Sequence, residues 1–357
     1  PSSPGSGNML SRLFHATLPL ALQPLDTEVG RAEPSTVEGL HQAYVKKTAI
    51  IVGGTRGIGL AVADTLSAAG ANVIVVGRSA GLEGFRHYGV AADLSTVQGC
   101  LDAVSRIETA LDDTAGGVCH FVVCTVGVWP CVSEPCTSEG VDKVVALDLV
   151  ARHVILTRLA QRGRFADGIR LMNVLASGQW LPSSLLDAAS VRARLEASVR
   201  VVDEAAPAAP HSLSSAALTL LGTAVAHDAW LQHLSRELSG ATVMSTFPGL
   251  LVTELPRASL PSWLVPLVHA AMVPIADSPE QMGLSHATIL ATPHAPIAPP
   301  VSYWAAPRLE ARRAHPLAYD SELSAWVYAF VENLVQTRTS EAATGHGGAK
   351  ATTAATR

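Results

Sequence analysis

Lysine is scarce in this chain. Lys46, Lys47, Lys143 and Lys350 are the full complement in 357 residues, and the formal net charge is -5. That balance leaves no basic face suited to a phosphate backbone and excludes a nucleic-acid partner. No apolar run reaches the roughly 20 residues that span a bilayer, so no transmembrane segment is expected. The nearest candidate, WLVPLVHAAMVPI from Trp263, is cut by Pro266 and Pro274. It reads as a cover for a small apolar substrate, a partner contact or a membrane-surface contact. The cysteines number five, an odd count, and four of them (Cys119, Cys124, Cys131, Cys136) are crowded into one segment without a matching pair elsewhere. Buried or loop thiols in a reducing compartment are expected, and no metal site.

What is present is apolar: hydrophobic residues make up 48% of the chain, ample for a full core. Strand-like and helix-like periods alternate, the mark of a parallel sheet covered by helices on both faces. Strands are predicted at 48–52, 72–76, 89–92, 119–124, 169–175 and 241–247, and helices at about 57–69, 95–111, 138–162 and 213–238. In the last helix Leu213, Ala217, Leu220, Leu221, Ala224, Leu231, Leu234 and Leu238 fall near one stripe. The expected architecture is α/β, a Rossmann-type doubly wound parallel sheet in a single domain over residues 46–335. An insertion at about 179–210 should lie beside the sheet's carboxyl edge, and deleting residues 183–206 should leave the fold intact while changing association or ligand binding. Residues 1–45 form an N-terminal extension. PSSPGSGN reads as a linker or cloning remnant, and MLSRLFHATLPLALQ has no acid before Asp26 and is compatible with a mitochondrial presequence. Cytoplasm and mitochondrion therefore both stand. Residues 336–357 read as a low-complexity, mobile tail.

The stretch IIVGGTRGIGLAV, residues 50–62, runs from an apolar strand through a glycine turn into an apolar helix. Gly53, Gly57 and Gly59 give G-x-x-x-G-x-G in the context that suits a dinucleotide, with Thr55, Arg56 and Ile58 inside the turn. Glycines let the backbone approach the pyrophosphate, and the helix start offers free N–H groups. About 20 positions on, where an NAD site places an acid, stand Gly77 and Arg78. With Arg56, Arg78 favours the 2'-phosphate of NADP(H).

These residues resemble the short-chain dehydrogenase/reductase family over roughly 46–335. Further matches are Asp93-Leu94, the family's adenine-contacting pair; CTVG at Cys124–Gly127, in place of N-N-A-G; NV at Asn173-Val174; and PGLLVT, in which Pro248, Gly249 and Thr253 match P-G-x-x-x-T. YDSELSAWVYAFVENLV is similar to the C-terminal helix of atypical fungal members. The resemblance implies a tyrosine general acid with a lysine four residues later. Neither exists here: no tyrosine stands between Tyr88 and Tyr303, and no lysine between Lys143 and Lys350. By the resemblance His211 or Ser214 falls near the tyrosine position and Ser215 near the lysine position. Leu175 and Ala176 replace the serines, with Ser177 one position late. The relay asparagine is Asp148, and the threonine that braces the turn is Val52. Two readings follow. One is an NADP(H)-binding pseudoenzyme serving as scaffold, sensor or complex subunit, with protein partners or as a homo-oligomer. The other is an NADP(H)-dependent oxidoreductase on a carbonyl or alcohol, with His211, Ser177 and Ser214 as replacement catalytic groups.

Overall fold

The computed structural model describes residues 30–81, 85–128, 134–175, 186–199, 213–249, 277–292 and 301–348. Seven parallel strands form the body of a nine-stranded sheet. They are β2 (Thr48–Val52), β3 (Asn72–Gly77), β4 (Tyr88–Ala91), β5 (Cys119–Cys124), β6 (Phe165–Val174), β7 (Thr242–Phe247) and β8 (Val301–Ala305). Short antiparallel strands β1 (Gly30–Arg31) and β9 (Glu310–Arg312) close one edge, giving the order β1-β9-β8-β7-β6-β5-β2-β3-β4. The order reverses between β2 and β5, so the carboxyl ends of these two strands open the crevice in which doubly wound sheets bind ligands. β2 is buried at every residue, which explains the apolar run from Ala49 to Val52.

Helices α1 (Val37–Tyr44), α2 (Gly57–Ala68) and α7 (Pro279–Ala291) cover one face of the sheet. The other carries α3 (Val97–Asp112), α4 (Ala151–Gln161), α5 (Ala188–Ala197), α6 (Leu213–Glu237) and α8 (Ser321–Gly348). One α-turn, Lys143–Val145, and one π-turn, Ala146–Val150, lead directly into α4. On the first face the contact of α7 with α2 is close: a Cβ on Gly283 would lie 2.6 Å from the Ala61 carbonyl oxygen.

Several sequence expectations change. Residues 30–45 are part of the fold, since β1 pairs with β9 and the buried Tyr44 hydroxyl donates to the Ala287 carbonyl at 2.5 Å. The segment read as a mobile tail continues α8 to Gly348: alanines favour helix, Arg338 pairs with Glu341, and Thr337 and Thr339 hydroxyls donate to carbonyls one turn back. Part of the expected insertion is core. Asp187 caps α5 through Ser190 N, Val191 and Leu195 are buried in the main cluster, and Val199 bridges to Val141. Helix α6 is buried all round from Gly222 to Gln232, not along one stripe, because α8 packs on its outer side. The WLVPLVHAAMVPI stretch lies outside the described residues. Among the described residues no helix is long and apolar enough to cross a membrane.

Candidate functional site

In the turn after β2, Gly53 and Gly59 stand where nothing larger fits. Gly53 has φ +91°, and a Cβ there would sit 2.5 Å from Val126 N; one on Gly59 would sit 2.4 Å from Thr125 Oγ1 and 2.5 Å from the Gly53 carbonyl oxygen. Gly57, at φ +58°, faces open space. Helix α2 starts at Arg56 with no side-chain cap and no acid in its first turn. Its first N–H groups and its positive dipole end are therefore presented at the crevice, the arrangement that receives a phosphate. Arg56 and Arg78 are both exposed, whereas Thr55 is half-buried and packs on Gly77, where a Cβ would lie 3.0 Å from Thr55 Cγ2. The same contact leaves little room for an acidic side chain at the end of β3.

The expected loss of the turn's brace has a compensation in the opposite sense. Thr125 N, Val126 N and Thr125 Oγ1 all donate to the Val52 carbonyl, at 2.8, 2.9 and 3.2 Å. The hydroxyl has moved from β2 to the segment after β5. Gly127 follows it, exposed, and Pro248 with Gly249 (φ +77°) follows β7 along the same edge. Asp93 is exposed and accepts from Ser95 N at 3.1 Å. Leu94 is buried in the main core cluster. Ile58 is half-buried and packs against the α2 side of the core.

Among the expected reaction-centre residues, His211 and Ser177 lie outside the described residues, as does Thr253 of the cofactor set. Ser214 falls in the first turn of α6. The described residues instead bring together a buried polar group that the sequence reading had only in part. Asp148 stands in the π-turn, a feature frequent at functional sites, and its Oδ1 would lie 2.6 Å from a Cβ on Gly127. One turn later the fully buried Arg152 donates through Nη2 to the carbonyls of Val126 (2.6 Å) and Val174 (2.9 Å), tying the ends of β5 and β6 together. Arg152 Nη2 is 3.9 Å from Asp148 Oδ1. On α6, Asp228 accepts from Ser245 Oγ at 3.0 Å, and His227 is buried beside it. Burial raises both carboxyls to about 7, against the pull of Arg152 and, for Asp228, of the Ser245 hydroxyl. Burial, reinforced by Arg152, holds His227 well below the usual histidine range. Arg152 and Asp228 were legible only as charges set in apolar helix sequence, VARHVIL and VAHDAWL. The buried Cys119 and Cys124 thiols are raised to about 12 and about 11 by burial and stay protonated. Among the described residues no cluster could hold a metal.

A glycine turn with an open helix start at the switch point of a parallel sheet defines a nucleotide-binding doubly wound protein. Residues 47–162 match the sequence profile described as short chain dehydrogenase, and over that segment the chain is similar to the short-chain dehydrogenase/reductase family. It is 31% identical over 151 residues to 3-oxoacyl-acyl-carrier-protein reductase MabA of Mycobacterium tuberculosis, a match covering 41% of this chain and 58% of that protein. The Mycobacterium avium protein of the same name is 27% identical over 240 residues, covering 65% and 78%. Among solved structures, a 3-alpha-hydroxysteroid dehydrogenase from Pseudomonas sp. complexed with NADH superposes with a TM-score of 0.51 at 22% identity, covering 72% of this chain and 94% of that one.

Proposed function

We propose that this chain is an NADP(H)-binding family member with a degenerate reaction centre, serving as a scaffold, sensor or complex subunit in the cytoplasm or mitochondrion. The observation that carries the reading is the contrast between an intact phosphate turn and an absent proton donor. Gly53, Gly57 and Gly59 keep the geometry that admits a pyrophosphate, with Gly249 across the crevice. Arg56 and Arg78 supply two exposed cations beside a β3 end that has no acid. A dinucleotide bound there would be the hydride donor or acceptor of any reaction. Y-x-x-x-K, which would supply the proton and hold the ribose, is missing from the sequence. General acid catalysis typically contributes about 10² to 10⁴-fold in rate, so ordinary carbonyl reduction is not expected.

A second reading, an NADP(H)-dependent oxidoreductase with a replaced acid, draws support from the near-neutral carboxyl of Asp148 beneath Gly127. Titrating the protein with NADPH and NADH, then following NADPH consumption with a panel of aldehydes and ketones, separates the two. The preferred reading expects NADPH to bind more tightly than NADH and to remain unconsumed. A robust rate that is lost in His211→Ala or Asp148→Asn establishes the second reading. Equal affinities for the two nucleotides remove the NADP(H) assignment.

A further inference from the structure

Around the Arg152 guanidinium, buried polar atoms gather that have no hydrogen-bond partner among the described residues. Arg152 Nε and Nη1, Asp148 Oδ1, Asp228 Oδ2 and both ring nitrogens of His227 are all buried without one. None of the four residues is more than 2% exposed. Native interiors leave few such atoms unsatisfied, and a group of them marks a place where polarity serves something other than stability.

We propose that Asp148, Arg152 and Asp228 form a buried proton-binding site whose occupancy is set by the oxidation state of the dinucleotide bound above it. The proposal rests on the NADP(H) reading. Its first support is charge balance. One guanidinium faces two fully buried carboxyls and can balance only one of them as a carboxylate, and burial disfavours leaving the other charged, so one proton stays in the group. The other groups that face it do not remove that proton. His227 on α6 is held neutral, the Cys124 thiol on β5 is raised, and the Tyr303 hydroxyl on β8 donates to the Asp228 carbonyl. Asp142, ahead of the π-turn, is a further negative charge that favours keeping the proton on Asp148.

The second support is position. Val126 is shared: its N–H side packs against Gly53 of the phosphate turn, and its carbonyl accepts from Arg152. Were Arg78 beside β3 to hold the 2'-phosphate and the glycine turn the pyrophosphate, the ends of β5 and β6 across the switch point would be left to receive the other half of the dinucleotide. Arg152 is anchored to those two strand ends. The oxidised nicotinamide ring carries a positive charge that the reduced ring lacks. A ring held over Arg152 and the two carboxyls would, when oxidised, favour the carboxylate and release of the proton, and when reduced would let Asp148 or Asp228 keep it.

Calorimetric titration of the full chain with NADP+ and with NADPH, at pH 7 in two buffers of different ionisation enthalpy, counts the protons exchanged. NADP+ is expected to release up to about one proton more than NADPH. The affinity ratio of the two forms should then change up to about tenfold per pH unit through neutrality. Asp148→Asn and Asp228→Asn, made separately, should shrink the difference while both nucleotides still bind. Should either variant fail to fold, an infrared difference spectrum of the parent protein between its two nucleotide complexes replaces it, and a protonated-carboxyl band should be lost with NADP+. Equal proton numbers in the parent, or a difference that survives both substitutions, overturns the proposal. Binding of neither nucleotide overturns the NADP(H) reading and the proposal with it.

Discussion

A single methyl group decides whether the phosphate turn survives. Gly59→Ala places a Cβ within 2.4 Å of Thr125 Oγ1, 2.5 Å of the Gly53 carbonyl oxygen and 2.9 Å of Gly54 Cα. Two of those three atoms are backbone and cannot rotate away. The turn must therefore open, at the cost typical of overpacking, about 1–3 kcal/mol. Thermal unfolding should show that loss together with weakened NADPH binding. Gly57→Ala, which meets nothing within 4 Å, should cost only the strain of its positive φ. Arg78→Ala tests the other end of the same ligand. It removes a charged contact of about 1.5–3 kcal/mol to the 2'-phosphate, so NADPH affinity should fall toward that of NADH while NADH affinity holds. A parallel loss for both nucleotides would place Arg78 elsewhere than at the 2'-phosphate.

Among the elements, α5 and α8 are the two whose roles the sequence disguises. Deleting residues 186–199 removes the buried Leu186, Val191 and Leu195 and the Asp142–Ser198 backbone hydrogen bond. Three buried leucine or valine side chains stabilise by about 1.5–3 kcal/mol each, a large share of a domain's roughly 5–15 kcal/mol, so circular dichroism should show loss of cooperative unfolding. Helix α8 is fastened through Glu332, which accepts from His153 Nε2 at 2.7 Å and Arg158 Nη2 at 3.0 Å, while Trp230 Nε1 donates to His153 Nδ1 at 3.0 Å. Glu332→Ala leaves the buried imidazole N–H without an acceptor and should cost about 1–3 kcal/mol in denaturant unfolding. Elements dominated by apolar residues and buried along nearly their whole length, such as TAIIV and CHFVVC, are legible in the sequence to the residue, because burial on both faces favours apolar side chains. Helix α7 is signalled by Ser278-Pro279-Glu280-Gln281, where Ser278 Oγ and Gln281 Oε1 form a reciprocal capping box, yet its apolar positions surround the helix and show no stripe. Strand β8, VSYWA, is buried at all five residues despite its serine and tyrosine, because Tyr303 finds Gln232 and Asp228 inside the protein. The phosphate turn is local and was readable. The Asp148–Arg152–Asp228 group is assembled from separate elements and was not.

For the molecule as a whole, stability against pH is set by buried groups that oppose one another. His153, His227 and His286 are held neutral chiefly by burial, with His286 lowered to about 4. In the unfolded chain each takes up a proton near pH 6.5, which the folded protein declines. Their contribution is complete above pH 6.5 and is lost as pH falls through that value toward the folded pKa. Asp148 and Asp228 act in the other direction. With folded values raised to about 7, they favour the folded state most below the unfolded value of 3.8, and that contribution is lost as pH rises from there through 7. Glu332, lowered to about 2, adds stability above its unfolded value of 4.5 that is lost as pH falls toward 2. Below pH 6.5 the two carboxyls offset part of the loss that the histidines bring, and above it the histidines are neutral in both states while the carboxyls go on losing their contribution, so stability should fall as pH rises from 6.5 through 7. His286→Leu isolates one histidine, because that imidazole makes only a 2.7 Å bond from Nδ1 to the Met282 carbonyl one turn back. The variant should lose about one proton's worth of slope, about 1.4 kcal/mol per pH unit, between pH 6.5 and 4. Urea unfolding at about pH 7, 6 and 5 should show the variant gaining on the parent at each step down. Parallel curves for the two proteins would mean that His286 is protonated in the fold.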